Sequence, residues 1–225
     1  MASRSRWLVG SSSNNRSDGH IKACARFRRL RERAEQGDSC AKFEIGEIYY
    51  EGKLVEKNIQ TAVEWFEKAA DDYKEKFSQM KLGRMYEIGD GVEQDYLKAI
   101  KYYERAAFTS PLQNEALYRL ALFYLNGYGY EQNYEYAAQM FEVLSNADDD
   151  IVPEAKYQYG RCLENGIGVD KDLDQAMHWY ELAAKEGVEE AKEACESRQQ
   201  RQIRCRRSCA NGLQQGQLLG KYLIR

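Results

Sequence analysis

The sequence predicts an all-α fold, a right-handed αα superhelix (solenoid) of helix-turn-helix repeats, and three observations predict it. Four segments, Ala41–Ala70, Ser78–Ala107, Ala116–Ser145 and Ala155–Ala184, align without an internal gap at spacings of 37 to 39 residues. Each half of each segment carries apolar residues three and four apart, the period of a helix with one buried face. Each segment is punctuated at the same place by glycine and then by Asn or Asp, a helix stop followed by a helix start. A chain that repeats in this way buries its core between neighbouring units as well as within them.

The elements follow in order. Residues 1–20 form a basic leader expected to be disordered. Residues 21–36 read as a half-unit, a lone second helix, because ERAEQGDSCA before the first repeat matches ELAAKEGVEEA after the fourth. The repeats then occupy 41–77, 78–115, 116–154 and 155–190. In each, the first helix places Gly46, Gly83, Ala121 or Gly160 amid large apolar residues, which argues for close helix–helix approach. It ends at Gly52, Gly89, Gly127 or Gly166. A second glycine follows in three repeats (Gly91, Gly129, Gly168), where the first repeat has Leu54, so the first turn is expected to differ. Asn58, Asp95, Asn133 and Asp172 are the expected N-caps of the second helices. These carry the stripes Ala62-Trp65-Phe66-Ala69, Ala99-Tyr102-Tyr103-Ala106, Ala137-Met140-Phe141-Leu144 and Ala176-Trp179-Tyr180-Ala183. Residues 191–204 are Arg/Gln-rich and read as a polar capping helix. Residues 205–225 form a basic tail expected to be disordered.

The totals narrow the function classes. Hydrophobic residues make up 43% and charged residues 31% of 225, as in a soluble globular chain. Residues 1–33 carry +7, residues 34–195 carry −16 and residues 196–225 carry +6. An acidic array between basic ends repels nucleic acid along its body, so nucleic acid is not an expected partner. No apolar run reaches the ~20 residues of a membrane span, and Trp7-Leu8-Val9 is too short for a secretory core. Residues 1–17, with three Arg, six Ser and no acid, have faint transit-peptide character without the apolar face. A cytoplasmic monomer is expected. The six cysteines do not recur at one repeat position, which favours thiols over a disulfide framework.

The motifs Leu82-Gly83…Tyr86, Gly89–Val92 and Gly166–Val169 (G-x-G-V), Asp95–Ala99 and Trp179–Gly187 resemble the Sel-one-like repeat (SLR) family, a relative of the tetratricopeptide repeat. The likeness covers Ile21 to Glu190. The longer period and the G-x-G-V loop separate it from the ~34-residue tetratricopeptide unit. The resemblance implies a protein-interaction scaffold or adaptor. A cysteine-rich branch of the family is linked to β-lactam hydrolysis, but this chain lacks that branch's paired cysteines.

No catalytic, cofactor-binding or metal-binding set converges, so no enzyme activity and no cofactor are expected. His178 stands where other repeats have Glu64, Lys101 and Gln139, a solvent-facing position. Cys205 and Cys209 lack the second pair of ligands that zinc needs, and Asp148–Asp150 lacks the glycine of a calcium loop. By analogy with tetratricopeptide arrays, a partner peptide would lie along the first helices, on the concave face. The candidate residues are Phe43, Glu47 and Tyr50; Met80, Arg84 and Glu87; Tyr118, Leu122 and Leu125; and Tyr157, Arg161 and Glu164. Leu122 and Leu125, with Arg84 and Arg161 in the adjoining repeats, suit a segment with an apolar anchor and nearby carboxylates. One alternative is recruitment of acidic surfaces or nucleic acid by the basic termini. A more distant one is hydrolysis of cell-wall or β-lactam substrates.

Overall fold

The computed structural model describes residues 15–71, 76–108, 113–147 and 152–201. The expected leader up to residue 14, Asp148–Asp150, Cys205, Cys209 and the expected tail 205–225 lie outside the described residues. Two compact units divide the chain, Met1–Gln132 and Asn133–Arg225. Among the described residues the ordered elements are helices, with no β-strand.

The first unit holds α1 (Asn15–Glu35), α2 (Ser39–Glu51), α3 (Ile59–Ala70), α4 (Lys76–Ile88), α5 (Tyr96–Ala107) and α6 (Gln113–Asn126). Helix α1 begins at Asn15, inside the stretch expected to be a disordered leader; its Phe27, Leu30 and Ala34 are buried against Ala41 and Ile45 of α2. Repeats one and two are the helix pairs α2–α3 and α4–α5. The pairs close on their small residues. A Cβ on Gly46 would sit 2.5 Å from the Phe66 ring, and one on Gly83 would sit 2.6 Å from the Tyr103 ring. No real Cβ survives at that distance, so glycine is what lets these rings lie flat on the facing helix.

The second unit holds α7 (Tyr134–Ser145), α8 (Pro153–Asn165) and α9 (Leu173–Lys185), followed by a helix α10 over 189–201, where a capping helix over 191–204 is expected. Repeat four is the pair α8–α9, and its Gly160 faces the Tyr180 ring in the same way, 2.8 Å from a built Cβ. Val188 and Ala191 are buried with Ala183 at the end of the array.

The turns are alike in construction. The side chains of Asn58, Asp95, Asn133 and Asp172 accept from the backbone N–H of Thr61, Lys98, Tyr136 and Gln175 at 2.9–3.0 Å. The N–H groups of Asn58, Asp95 and Asp172 donate back to the carbonyls of Tyr49, Tyr86 and Leu163. Each of these caps therefore starts the second helix and closes the loop at once. The first repeat has the same closure despite Leu54. Leu54 itself is half-buried. A Cβ on Gly91 would come within 2.1 Å of Ile59 Cγ2 in the preceding repeat, and one on Gly129 within 2.8 Å of Ile100 Cδ1. In the second unit, a Cβ on Gly168 would lie 2.1 Å from the Tyr134 carbonyl oxygen. The second glycine is thus an inter-repeat contact, held at φ near +70°.

Candidate protein-interaction surface

The first helices sort the predicted groove residues into those the fold uses and those it leaves exposed. Met80 is 6% exposed, which removes it from any docking surface. Phe43 is half-buried, with its ring 5.5 Å from that of Phe66. Tyr118 is half-buried. Tyr157 packs 5.6 Å from Tyr180.

The acidic candidates are engaged too. Tyr103 donates its hydroxyl to the Glu87 carboxylate, and Arg119 pairs with that carboxylate at 3.6 Å. Tyr180 donates to Glu164 at 2.8 Å. Repeats one and three have Phe66 and Phe141 at the tyrosine position, and Tyr50 and Leu125 where the glutamate would be. The glutamate is present where the facing ring carries a hydroxyl to satisfy, as a buried phenol requires. Burial and the adjacent carboxylate both push the Tyr103 and Tyr180 phenols well above their usual range.

Glu47 pairs with Lys81 of the next repeat at 3.1 Å. Lys81 Nζ also stands 3.9 Å over the Tyr50 ring, and Tyr50 donates to Asp90 Oδ2 at 2.6 Å. This network joins repeats one and two and draws Tyr50 into the scaffold.

A second set of polar stitches is not among the residues the repeat pattern singles out. Glu67, Glu104, Glu142 and Glu181 occupy one position of the second helices. Tyr86 donates to Glu67 at 3.0 Å and Tyr130 to Glu104 at 2.5 Å, each reaching back to the preceding repeat. In the second unit, burial first and then the hydrogen bond to Glu142 raise the Tyr159 phenol to about 12. Burial and Glu67 do the same for Tyr86, also to about 12. A signal for this set does exist in the sequence: an acid stands at one position of the second helix in all four units.

In the first unit Arg84 is exposed, and Leu122 and Leu125 are half-buried along α6, as Tyr118 is. In the second unit Arg161 is exposed, donating to Gln158 at 3.2 Å. His178 is exposed, as its position in the repeat implies. Cys162 is buried, and desolvation raises its thiol to about 11, which leaves it a poor nucleophile. Among the described residues no group of three or more His, Cys, Asp or Glu could hold a metal ion. No helix there is long and apolar enough to cross a membrane.

The model of the Sel1 repeat matches four times, over residues 41–72, 76–107, 114–149 and 153–188. The chain belongs to the Sel1 repeat family. Its members are all-α helical-repeat solenoids and, in general, non-catalytic modules of protein–protein interaction. Among solved structures, a Sel1 repeat protein from Oxalobacter formigenes is 30% identical, with a TM-score of 0.63 over 73% of this chain and 65% of its own. A protective antigen present in uropathogenic Escherichia coli strains, displaying an SLR fold, is 28% identical with a TM-score of 0.65. That match covers 73% of this chain and 34% of the antigen. A Sel1-like repeat-containing protein of Acanthamoeba polyphaga mimivirus is 47% identical over 38 residues, 17% of this chain and 6% of the viral protein. The Sel1 repeats here thus span less than two thirds of the length of each of these relatives.

Proposed function

We propose that this Sel1 repeat protein is a non-catalytic scaffold that holds a segment of a partner protein against the first helices of its repeats. The observation that supports it is the division among the first-helix residues. Glu47, Tyr50, Glu87 and Glu164 are spent on bonds within the fold, and Met80 is buried. Arg84, Leu122, Leu125 and Arg161 remain accessible at positions that differ from repeat to repeat. Residues that vary where the fold makes no demand are where partner choice resides. In the first unit Leu122 and Leu125 supply an apolar anchor and Arg84 carboxylate recognition; in the second unit Arg161 supplies carboxylate recognition by itself. The partner is therefore expected to present an apolar side chain with acidic residues nearby.

A partner identified by affinity purification and mass spectrometry supplies the test. Arg84→Glu and Leu122→Asp, made separately, should weaken its binding while the helical circular dichroism stays that of the parent protein. Arg161→Glu tests the second unit independently. Parental affinity in all three variants would remove the first-helix face as the binding surface.

A further inference from the structure

Helix α1 carries a charged face that the scaffold uses only in part. Arg26, Arg29 and Arg33 are spaced three and four apart and so form one stripe along the helix. With Ala25, Leu30 and Glu44 they line an open cleft of about 420 Å³ between α1 and α2. The outer two arginines each hold a carboxylate of this chain. Arg26 reaches Glu44 at 3.2 Å, with the arginine side chain still 71% exposed. Arg33 holds Asp38 through two nitrogens, at 2.6 and 2.8 Å. That contact and the Ala41 N–H together keep the Asp38 carboxyl below its usual range, with the backbone bond the larger effect. Arg29, between them, is exposed and makes no ion pair or hydrogen bond among the described residues.

We propose that this cleft is a docking site for a short acidic segment of another protein, with one carboxylate on Arg29 and a second displacing Glu44 from Arg26. Two things favour a short peptide over a polyanion. The geometry seen at Arg26 and Arg33 is carboxylate recognition already realised in this cleft. The stripe is also only about two helical turns long (~10 Å), and within its own unit it adjoins residues 34–132, which carry a net charge of −6. A nucleic acid leaving the stripe would run along that like-charged surface, whereas a short peptide need not. Ala25 at the rim leaves room for one small apolar side chain between the acids. This site is separate from the first-helix face of repeats two to four, and the two proposals fail independently.

The test is fluorescence anisotropy with the full chain and a labelled peptide of sequence Glu-Glu-Ala-Asp-Glu-Glu. The neutral peptide Gln-Gln-Ala-Asn-Gln-Gln, a single-stranded oligonucleotide and phosphatidylserine/phosphatidylcholine vesicles serve as the other arms. Arg26→Glu/Arg29→Glu should raise the Kd for the acidic peptide by roughly tenfold or more. Arg28→Glu/Arg31→Glu makes the same change in net charge on the opposite side of α1 and should leave the Kd within about twofold. All four arginines are exposed, so both variants should keep the parent's helical content and melting temperature. Equal loss in both pairs would reduce the effect to bulk charge and overturn the site. So would equal binding of the neutral peptide, absence of saturable binding, or tighter capture of the oligonucleotide or vesicles than of the acidic peptide.

Discussion

Repeats one and two share a unit, a period and a loop-closing hydrogen bond, yet they differ at three places that matter. Repeat one has Leu54, Phe66 and Tyr50 where repeat two has Gly91, Tyr103 and Glu87. Each difference follows from what the residue faces. Gly91 is pressed against Ile59 of the preceding repeat, whereas Leu54 fills the same place in repeat one with a half-buried side chain. Tyr103 needs an acceptor for its hydroxyl and has Glu87; Phe66 needs none. A repeat position is therefore fixed by its neighbours in space.

The largest break in this comparison should come from exchanging the loop residues. Gly91→Leu forces a Cβ into Ile59 at a backbone φ of +73°, and should cost about 3 kcal/mol or more. Leu54→Gly should cost on the order of 1 kcal/mol, mainly through the freedom it gives the unfolded chain. Urea unfolding of the two variants measures both, and equal losses would contradict an inter-repeat role for the second glycine.

The hydroxyl rule gives the next effect. Phe66→Tyr should lose about 1–3 kcal/mol, because the new phenol has no carboxylate opposite it. Adding Tyr50→Glu should recover part of that loss, and a double-mutant cycle reads the coupling directly. Tyr103→Phe should cost about 1–2 kcal/mol in the other direction. A cycle showing no coupling between positions 50 and 66 would break the rule.

The pH dependence is smaller and has a definite sign. Tyr86 ionises near its ordinary value of 10 when unfolded, but burial and Glu67 raise it to about 12 in the fold. The unfolded chain thus releases its proton first as pH rises. The stabilisation is complete below pH ~10 and is lost between ~10 and ~12. Tyr159 adds to it with the same sign in the second unit. Glu67→Gln should bring Tyr86 down toward 10 in a phenolate absorbance titration. The smallest contrast belongs to the caps: Asn58→Ala and Asp95→Ala should each cost about 1 kcal/mol. The two should match, because each cap bonds locally and in the same geometry.

Much of the fold is legible in the sequence. The helix pairs, the caps at Asn58, Asp95, Asn133 and Asp172, and the close approach at Gly46, Gly83 and Gly160 all rest on interactions within one repeat, which a one-dimensional pattern records. The interaction surface is legible only in part. The repeat pattern places Glu47, Glu87 and Glu164 together with Arg84 and Arg161, since both kinds of residue are charged and vary between repeats. What separates them is a phenol on the facing helix or a lysine on the next repeat. The helix of residues 15–35 shows the same limit from the other side: its half-unit 21–36 is legible as a helix, but the partners of Arg26 and Arg33 are not, because Glu44 and the α2 cap Asp38 supply them.

The sequence by itself determined the helix-turn-helix unit, its number of copies and its membership of a repeat class, because propensity, capping and periodicity act over a few residues. Only the tertiary structure decided which recurrent residues are stitches between repeats and which variable ones make no such bond. Whether a carboxylate, a phenol or an arginine is already satisfied depends on groups up to 40 residues away, as with Tyr50 and Asp90, and hydrogen bonding and burial are settled by distance in space rather than along the chain.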